Sequence, residues 1–211
     1  MHRTVIRLGI TGFLFLSSQM AAAFEPLAYT VLGPQGRATV RLVTDAAHCP
    51  PIHWQGAAPQ TMDLRVGAAR IPARSGGAQE QKEATFDVNT CEAHWPTGVH
   101  AARVGDQTLR APAKAIKRIA VIADTGCRMK GSEGAFQDCN DPRLWPFAQV
   151  AQSASEKAPD LVIHIGDIHY RESPCPTEKP GCTNSPWGYG FDAWEADFFK
   201  PARSLLLTAP W

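Results

Sequence analysis

The chain has 211 residues, with 21 Lys and Arg against 20 Asp and Glu and a formal charge of +1. Hydrophobic residues make up 44% and charged residues 19%, which allows a packed core and argues against wholesale disorder. The near-neutral balance argues against a nucleic-acid or polyanion surface.

Residues 1–23 have the pattern of an export signal. His2, Arg3 and Arg7 form a short basic lead, Leu8–Ser18 is an apolar run too short to span a bilayer, and Ala21–Ala23 place small residues before a cleavage expected at Phe24. The competing reading is a membrane anchor. Export, to a periplasm or the outside, leaves no stable anchor once the segment is removed. It also fits the six cysteines, an even number suited to disulfides in an oxidising compartment. Sequence alone does not fix the pairing. The spacing favours neighbours: Cys49 with Cys91, Cys127 with Cys139, and Cys175 with Cys182. A zinc role is the weaker alternative, since no CxxC occurs.

Residues 24–113 read as a small all-β, sandwich-like domain. Short alternating runs recur at 38–43, 61–66, 84–88 and 99–104, punctuated by Gly, Pro and Asn. The last opens a hairpin with Gly105-Asp106 at its turn. Residues 73–83 lack apolar periodicity and are expected to form an exposed loop. His48, His53 and His94, near Cys49, Trp54 and Cys91, are expected to be polar loop or edge residues. Residues 110–118 are a plausible linker.

From residue 117 the period changes. Ile119–Ala123 is a continuous apolar run that suits a parallel strand buried on both faces, and it ends at Asp124-Thr125-Gly126. Over 146–158, Phe147, Val150, Ala151 and Ala154 make a helical stripe. Asp141 could start this helix or a preceding turn, and Pro159 stops it. Leu161–Ile165 is a second apolar strand, so the order is strand, helix, strand, with parallel strands and a right-handed crossover. Residues 191–199 are expected to be helical with Trp194 and Phe198 on one face. Ser204–Thr208 is apolar, and Pro210-Trp211 resembles the approach to another strand.

Both apolar strands end in an aspartate, and in open α/β sheets ligands bind beyond the carboxyl ends of strands. Neighbouring strands lie about 4.8 Å apart, and paired metal ions in hydrolases lie about 3.5–4 Å apart, so Asp124 and Asp167 could share a metal pair. Gly126 and Gly166 leave room for tight turns, and Tyr170 could reach the same place. Such oxygen donors suit hard cations such as ferric iron, manganese or magnesium. The alternative is that both aspartates are ordinary turn residues. His164, inside its strand, reads as structural. His169 reads as a residue that supports the ligands from behind or faces substrate, not as a ligand. Asp138, Asn140 and Asp141 could hold calcium, but a solvated loop is favoured.

Asp124-Thr125-Gly126, the βαβ unit and Gly166-Asp167-Ile168-His169-Tyr170 together resemble the first two blocks of calcineurin-like metallophosphoesterases, most closely the purple-acid-phosphatase branch. The resemblance covers about residues 117–170. It implies that residues 117–211 form the first half of a four-layer αββα domain. It also implies that Asp124 binds a first, ferric ion, that Asp167 bridges two ions, and that Tyr170 is a phenolate ligand. The second ion would be iron, zinc or manganese, and the substrate a phosphate ester hydrolysed by metal-activated water. The family's Gly-Asn-His block, a further His, and its Gly-His-x-His block do not occur here. The chain is therefore expected to be the N-terminal portion of a longer enzyme, inactive alone and without the proton-donor histidine. A reading of a different class is a non-catalytic secreted binding module that retains the fold.

Overall fold

The computed structural model describes residues 24–73 and 82–211. The export segment and most of the 73–83 loop lie outside the described residues. The strands in chain order are β1 (Leu27–Leu32), β2 (Ala38–Thr44), β3 (Pro51–Trp54), β4 (Gln60–Thr61), β5 (Asp63–Val66), β6 (Ala69–Ile71), β7 (Ala84–Phe86), β8 (Asn89–His94), β9 (Ala101–Val104), β10 (Gln107–Arg110), β11 (Ile119–Ala123), β12 (Met129–Lys130), β13 (Ala135–Phe136) and β14 (Leu161–Ile165). Helix α1 (Phe147–Glu156) lies between β13 and β14. Near the end, α2 (Phe191–Trp194) runs into a π-helical turn (Glu195–Phe199), and α3 (Arg203–Leu206) follows.

The protein is mostly β-sheet, and the regular elements among the described residues between 27 and 110 are strands apart from one short 3-10 turn at Pro34–Gly36. Two four-stranded antiparallel sheets form there, in the orders β1-β2-β8-β5 and β10-β9-β3-β4. They share one core: Ala28, Val40, Leu42 and Cys91 from the first meet Ile52, Trp54, Ala102 and Leu109 from the second. Period-2 alternation explains the rest. In β1 and β2 the residues pointing the other way, Leu27, Tyr29 and Val43, enter a second core. That core is completed by Phe147 and Ala151 of α1, Phe198 of the π turn, and Leu205 and Leu206 of α3. The first sheet is thus covered on both sides, by a sheet and by helices. The β9–β10 hairpin turns at Gly105-Asp106 with Gly105 at φ 59°, the left-handed conformation a tight two-residue turn asks of its first residue.

Strands β11 and β14 pair in parallel, with Ile119 opposite Leu161 and Ala123 opposite Ile165. Asp160 secures the entry to both: one carboxylate oxygen accepts the Lys117 and Arg118 amides at 2.8 Å each. The expectation that Ile119–Ala123 is buried on both faces does not hold, and Leu161–Ile165 is likewise covered on one face only. Ala120, Ile122 and Val162 face the helical core, but Ile119, Val121 and Ile165 are 52%, 59% and 54% exposed. Helices cover one face of this pair, and among the described residues nothing covers the other.

Other local differences have similar causes. Strands β1, β3 and β8 form where no alternating run marks the sequence, because sheet neighbours supply their partners. His53 and His94 therefore sit in strands, and the His94 ring nitrogen bonds the Thr39 hydroxyl at 2.9 Å. In α1 the inward stripe is Phe147, Ala151 and Ala154, while Val150 faces solvent. Pro210 and Trp211 lie between β14 and β1: Val162 N–H donates to Pro210, Trp211 N–H to Thr30, and Leu32 N–H to Trp211. The three disulfides join Cys49–Cys91, Cys127–Cys139 and Cys175–Cys182. No helix among the described residues is long and apolar enough to cross a membrane. The disulfides are consistent with export.

Candidate metal centre

The register of β11 and β14 places Asp124 beside Gly166 at one end of the pair. Asp124 leaves its strand in the left-handed conformation, at φ 49°. This costs a non-glycine residue on the order of 1–3 kcal/mol and, where it persists, clusters at functional sites. The turn aims the carboxylate across at the second loop. Its Oδ1 accepts the Tyr170 hydroxyl at 2.8 Å and the Asp167 amide at 3.2 Å, and the Thr125 amide donates to the Asp167 carbonyl at 3.1 Å. Gly166 is required here. It adopts φ 82°, and a Cβ at that position would come within 2.7 Å of the Asp124 carboxylate.

These contacts set the local electrostatics. The Asp124 carboxyl is held below its ordinary value, first by the Tyr170 hydroxyl, then by the Asp167 amide. The Tyr170 phenol is pushed up, first by desolvation, then by its hydrogen bond to Asp124 and by the neighbouring Asp167 carboxylate. Asp124, Asp167 and Tyr170 are thus brought together, with the corner open to solvent. His164 lies behind it. Its Nε2 bonds the Thr125 hydroxyl at 3.0 Å and its ring meets Phe198 edge-on. Burial lowers its pKa against the opposing pull of the Asp124 carboxylate. His169 lies to one side, its ring against Tyr189 and Trp194, and its Nε2 is buried without a hydrogen-bond partner. The Asp138–Asp141 loop satisfies itself: Asp141 pairs with Arg143, which holds its pKa down to about 2, and Asn140 donates to the Thr183 carbonyl.

Behind the corner sits an ion pair that the motifs do not contain. Asp197, in the π turn, is 0% exposed and pairs with Arg171, 3% exposed. Its Oδ1 accepts the Cys127 amide at 3.0 Å, and its Oδ2 accepts the Tyr170 amide at 2.9 Å. Arg171 lies over the Trp145 ring, and the Trp145 indole N–H donates to the Thr125 carbonyl at 2.9 Å. Asp197 falls on the same helical stripe as Trp194 and Phe198. An acid on a buried stripe needs a partner, so the sequence does carry a signal for it.

Two carboxylates and a phenol offer three hard oxygen donors, the donor type suited to ferric iron, manganese or magnesium. Their number leaves several positions of an octahedral ion to water or other groups. Among the described residues, no group of three or more His, Cys, Asp or Glu is placed to hold a metal, so the phenol is needed to reach three donors. A cleft of about 750 Å³, bordered by Glu25, Asp45, Asp87, Asp192 and Glu195, shares no residue with this corner. No protein-family model matches the chain, and no match was found among curated proteins or solved structures.

Proposed function

We propose that the chain carries part of the site of an exported, metal-dependent phosphoesterase, with Asp124, Asp167 and Tyr170 as metal ligands. The observation that carries this reading is Asp124. A strained aspartate at the carboxyl end of a parallel strand directs its carboxylate at the phenol and backbone of the one neighbouring loop that also holds an aspartate and a tyrosine. When bound, hard cations would supply Lewis acidity toward a phosphoryl oxygen and toward water. Asp124 and Asp167 would hold and orient the ions. Tyr170 would have to lose the proton it now donates to Asp124, and the cation's charge would favour that loss. The first half of a four-layer αββα domain is part of the same proposal, supported by the parallel pair with α1 between its strands.

A second reading has its own support. The Tyr170–Asp124 hydrogen bond satisfies both groups without an ion, as expected of a structural corner in a non-catalytic secreted module. Elemental analysis of exported protein separates the two. The proposal expects bound metal in the parent and lowered content in Asp124→Asn and Asp167→Asn, with the larger loss at Asp167, the residue taken to bridge two ions. Equal metal content in all three proteins would refute it.

A further inference from the structure

We propose that Asp197 is a positioning residue that holds the two loops of the metal corner in register through backbone hydrogen bonds. This rests on the metal reading above.

Asp197 reaches two segments far apart in the chain. One oxygen takes the amide of Cys127, three residues after Asp124, and the other takes the amide of Tyr170, itself a proposed ligand. A single carboxylate thus fixes the distance between the Asp124 turn and the Asp167–Tyr170 turn. Gly126 marks how closely they meet. A Cβ there would come within 2.8 Å of the Asp197 carboxylate, 2.7 Å of the Ile168 carbonyl and 2.8 Å of the Tyr170 amide. No other residue fits without separating the loops.

The helix geometry serves the same contact. The Lys200 amide donates to the Glu195 carbonyl at 2.9 Å, one residue wider than an α-helical turn. Such π turns shift the direction of the side chains they contain and recur at functional sites. Arg171 neutralises Asp197 through Nε at 2.5 Å and is itself held over Trp145. A fully buried carboxylate is costly unless paired and hydrogen-bonded. Packing alone would be served as well by an apolar pair. Two loop amides and a guanidinium converging on one acid are what loop placement requires.

The test is Asp197→Asn in the full chain, which preserves shape but removes the charge and leaves one amide facing an N–H donor. Two quantities are read: amide exchange at Cys127 and Tyr170 relative to β2, and Mn²⁺ binding by titration. Global destabilisation speeds all amides together, so the ratio to β2 isolates the loops. The ratio should rise roughly tenfold, as for a locally opened segment. Mn²⁺ should bind about 10- to 100-fold more weakly, the range for residues that orient a ligand. Unchanged exchange ratios would overturn the proposal, as would unchanged Mn²⁺ affinity in a variant whose loop amides exchange faster. A parent that binds no Mn²⁺ would defeat the metal reading instead, and the exchange ratio alone would then decide whether Asp197 holds the loops. Should Asp197→Asn fail to fold, Arg171→Lys keeps the charge, loosens the grip on Asp197 and is read by the same ratio.

Discussion

Strands β1 and β2 are covered on both faces, and β11 and β14 on one, although the second pair is the more continuously apolar in sequence. The difference lies in what each pair can reach. The first sheet sits between a second sheet and the helices, while the parallel pair has helices on one side and solvent on the other. Apolar content showed that β11 and β14 could be buried; their neighbours decided how far. The open end of the less covered pair is also where Asp124, Asp167 and Tyr170 gather, so the region with less packing carries the proposed chemistry.

Four outcomes test this contrast. The largest effect is expected in the helical core that both regions share. Leu205, fully buried there, should cost about 2–5 kcal/mol as Leu205→Ala, the usual range for a buried leucine, read as a shift in the urea midpoint.

The Cys49–Cys91 bridge, which spans 42 residues and ties β8 to the loop before β3, should cost a similar ~2–5 kcal/mol when both cysteines become alanine. The Cys175–Cys182 bridge spans 7 residues. Its removal should cost on the order of 1–2 kcal/mol less by the loop-length argument. Equal effects would mean that native-state contacts, not chain constraint, dominate.

A smaller effect concerns pH. The Arg118 and Lys117 amides hold the Asp160 carboxyl below its ordinary value of 3.8. A depressed carboxyl contributes stability above the unfolded-state pKa and loses that contribution as pH falls through the folded-state value. Stability should therefore drop on acidification below that ordinary value, and Asp160→Asn should flatten the drop. Urea midpoints in mildly and strongly acidic buffer measure both slopes. Identical slopes would mean that the carboxylate does not hold the two strands together.

The smallest effect is expected on the bare face. Val121→Thr should change stability by no more than about 0.5 kcal/mol, in contrast with Val162→Ala on the covered face of the partner strand. A large loss at Val121 would show that something packs on that face in solution.

Much of this architecture was legible in the sequence for physical reasons. Gly105-Asp106 marks its hairpin because tight turns need a left-handed residue, and the α1 stripe is visible because helices repeat every 3.6 residues. Spacing favours neighbouring cysteines as partners without fixing the pairing, and the three bridges join those neighbours. Strands β1, β3 and β8 were not legible, because pairing with neighbours, not local alternation, selects them. The bare face of β11–β14 was hidden too, since an apolar strand reads the same whether one face or two are covered. At the corner, Asp124, Asp167 and Tyr170 were marked by their places at strand ends. Asp197 is harder to read from sequence because its significance lies in contacts across 27 and 70 residues, although an acid on an apolar helical stripe is its signature.

The most direct measurement of the central claim is titration of the purified protein with ferric ion, followed by visible absorbance. If Tyr170 and Asp124 hold the ion, a phenolate-to-iron band should grow to saturation in the parent. It should be lost in Tyr170→Phe and should require much more iron in Asp124→Asn. No band in the parent, or the same band in Tyr170→Phe, would contradict the metal assignment.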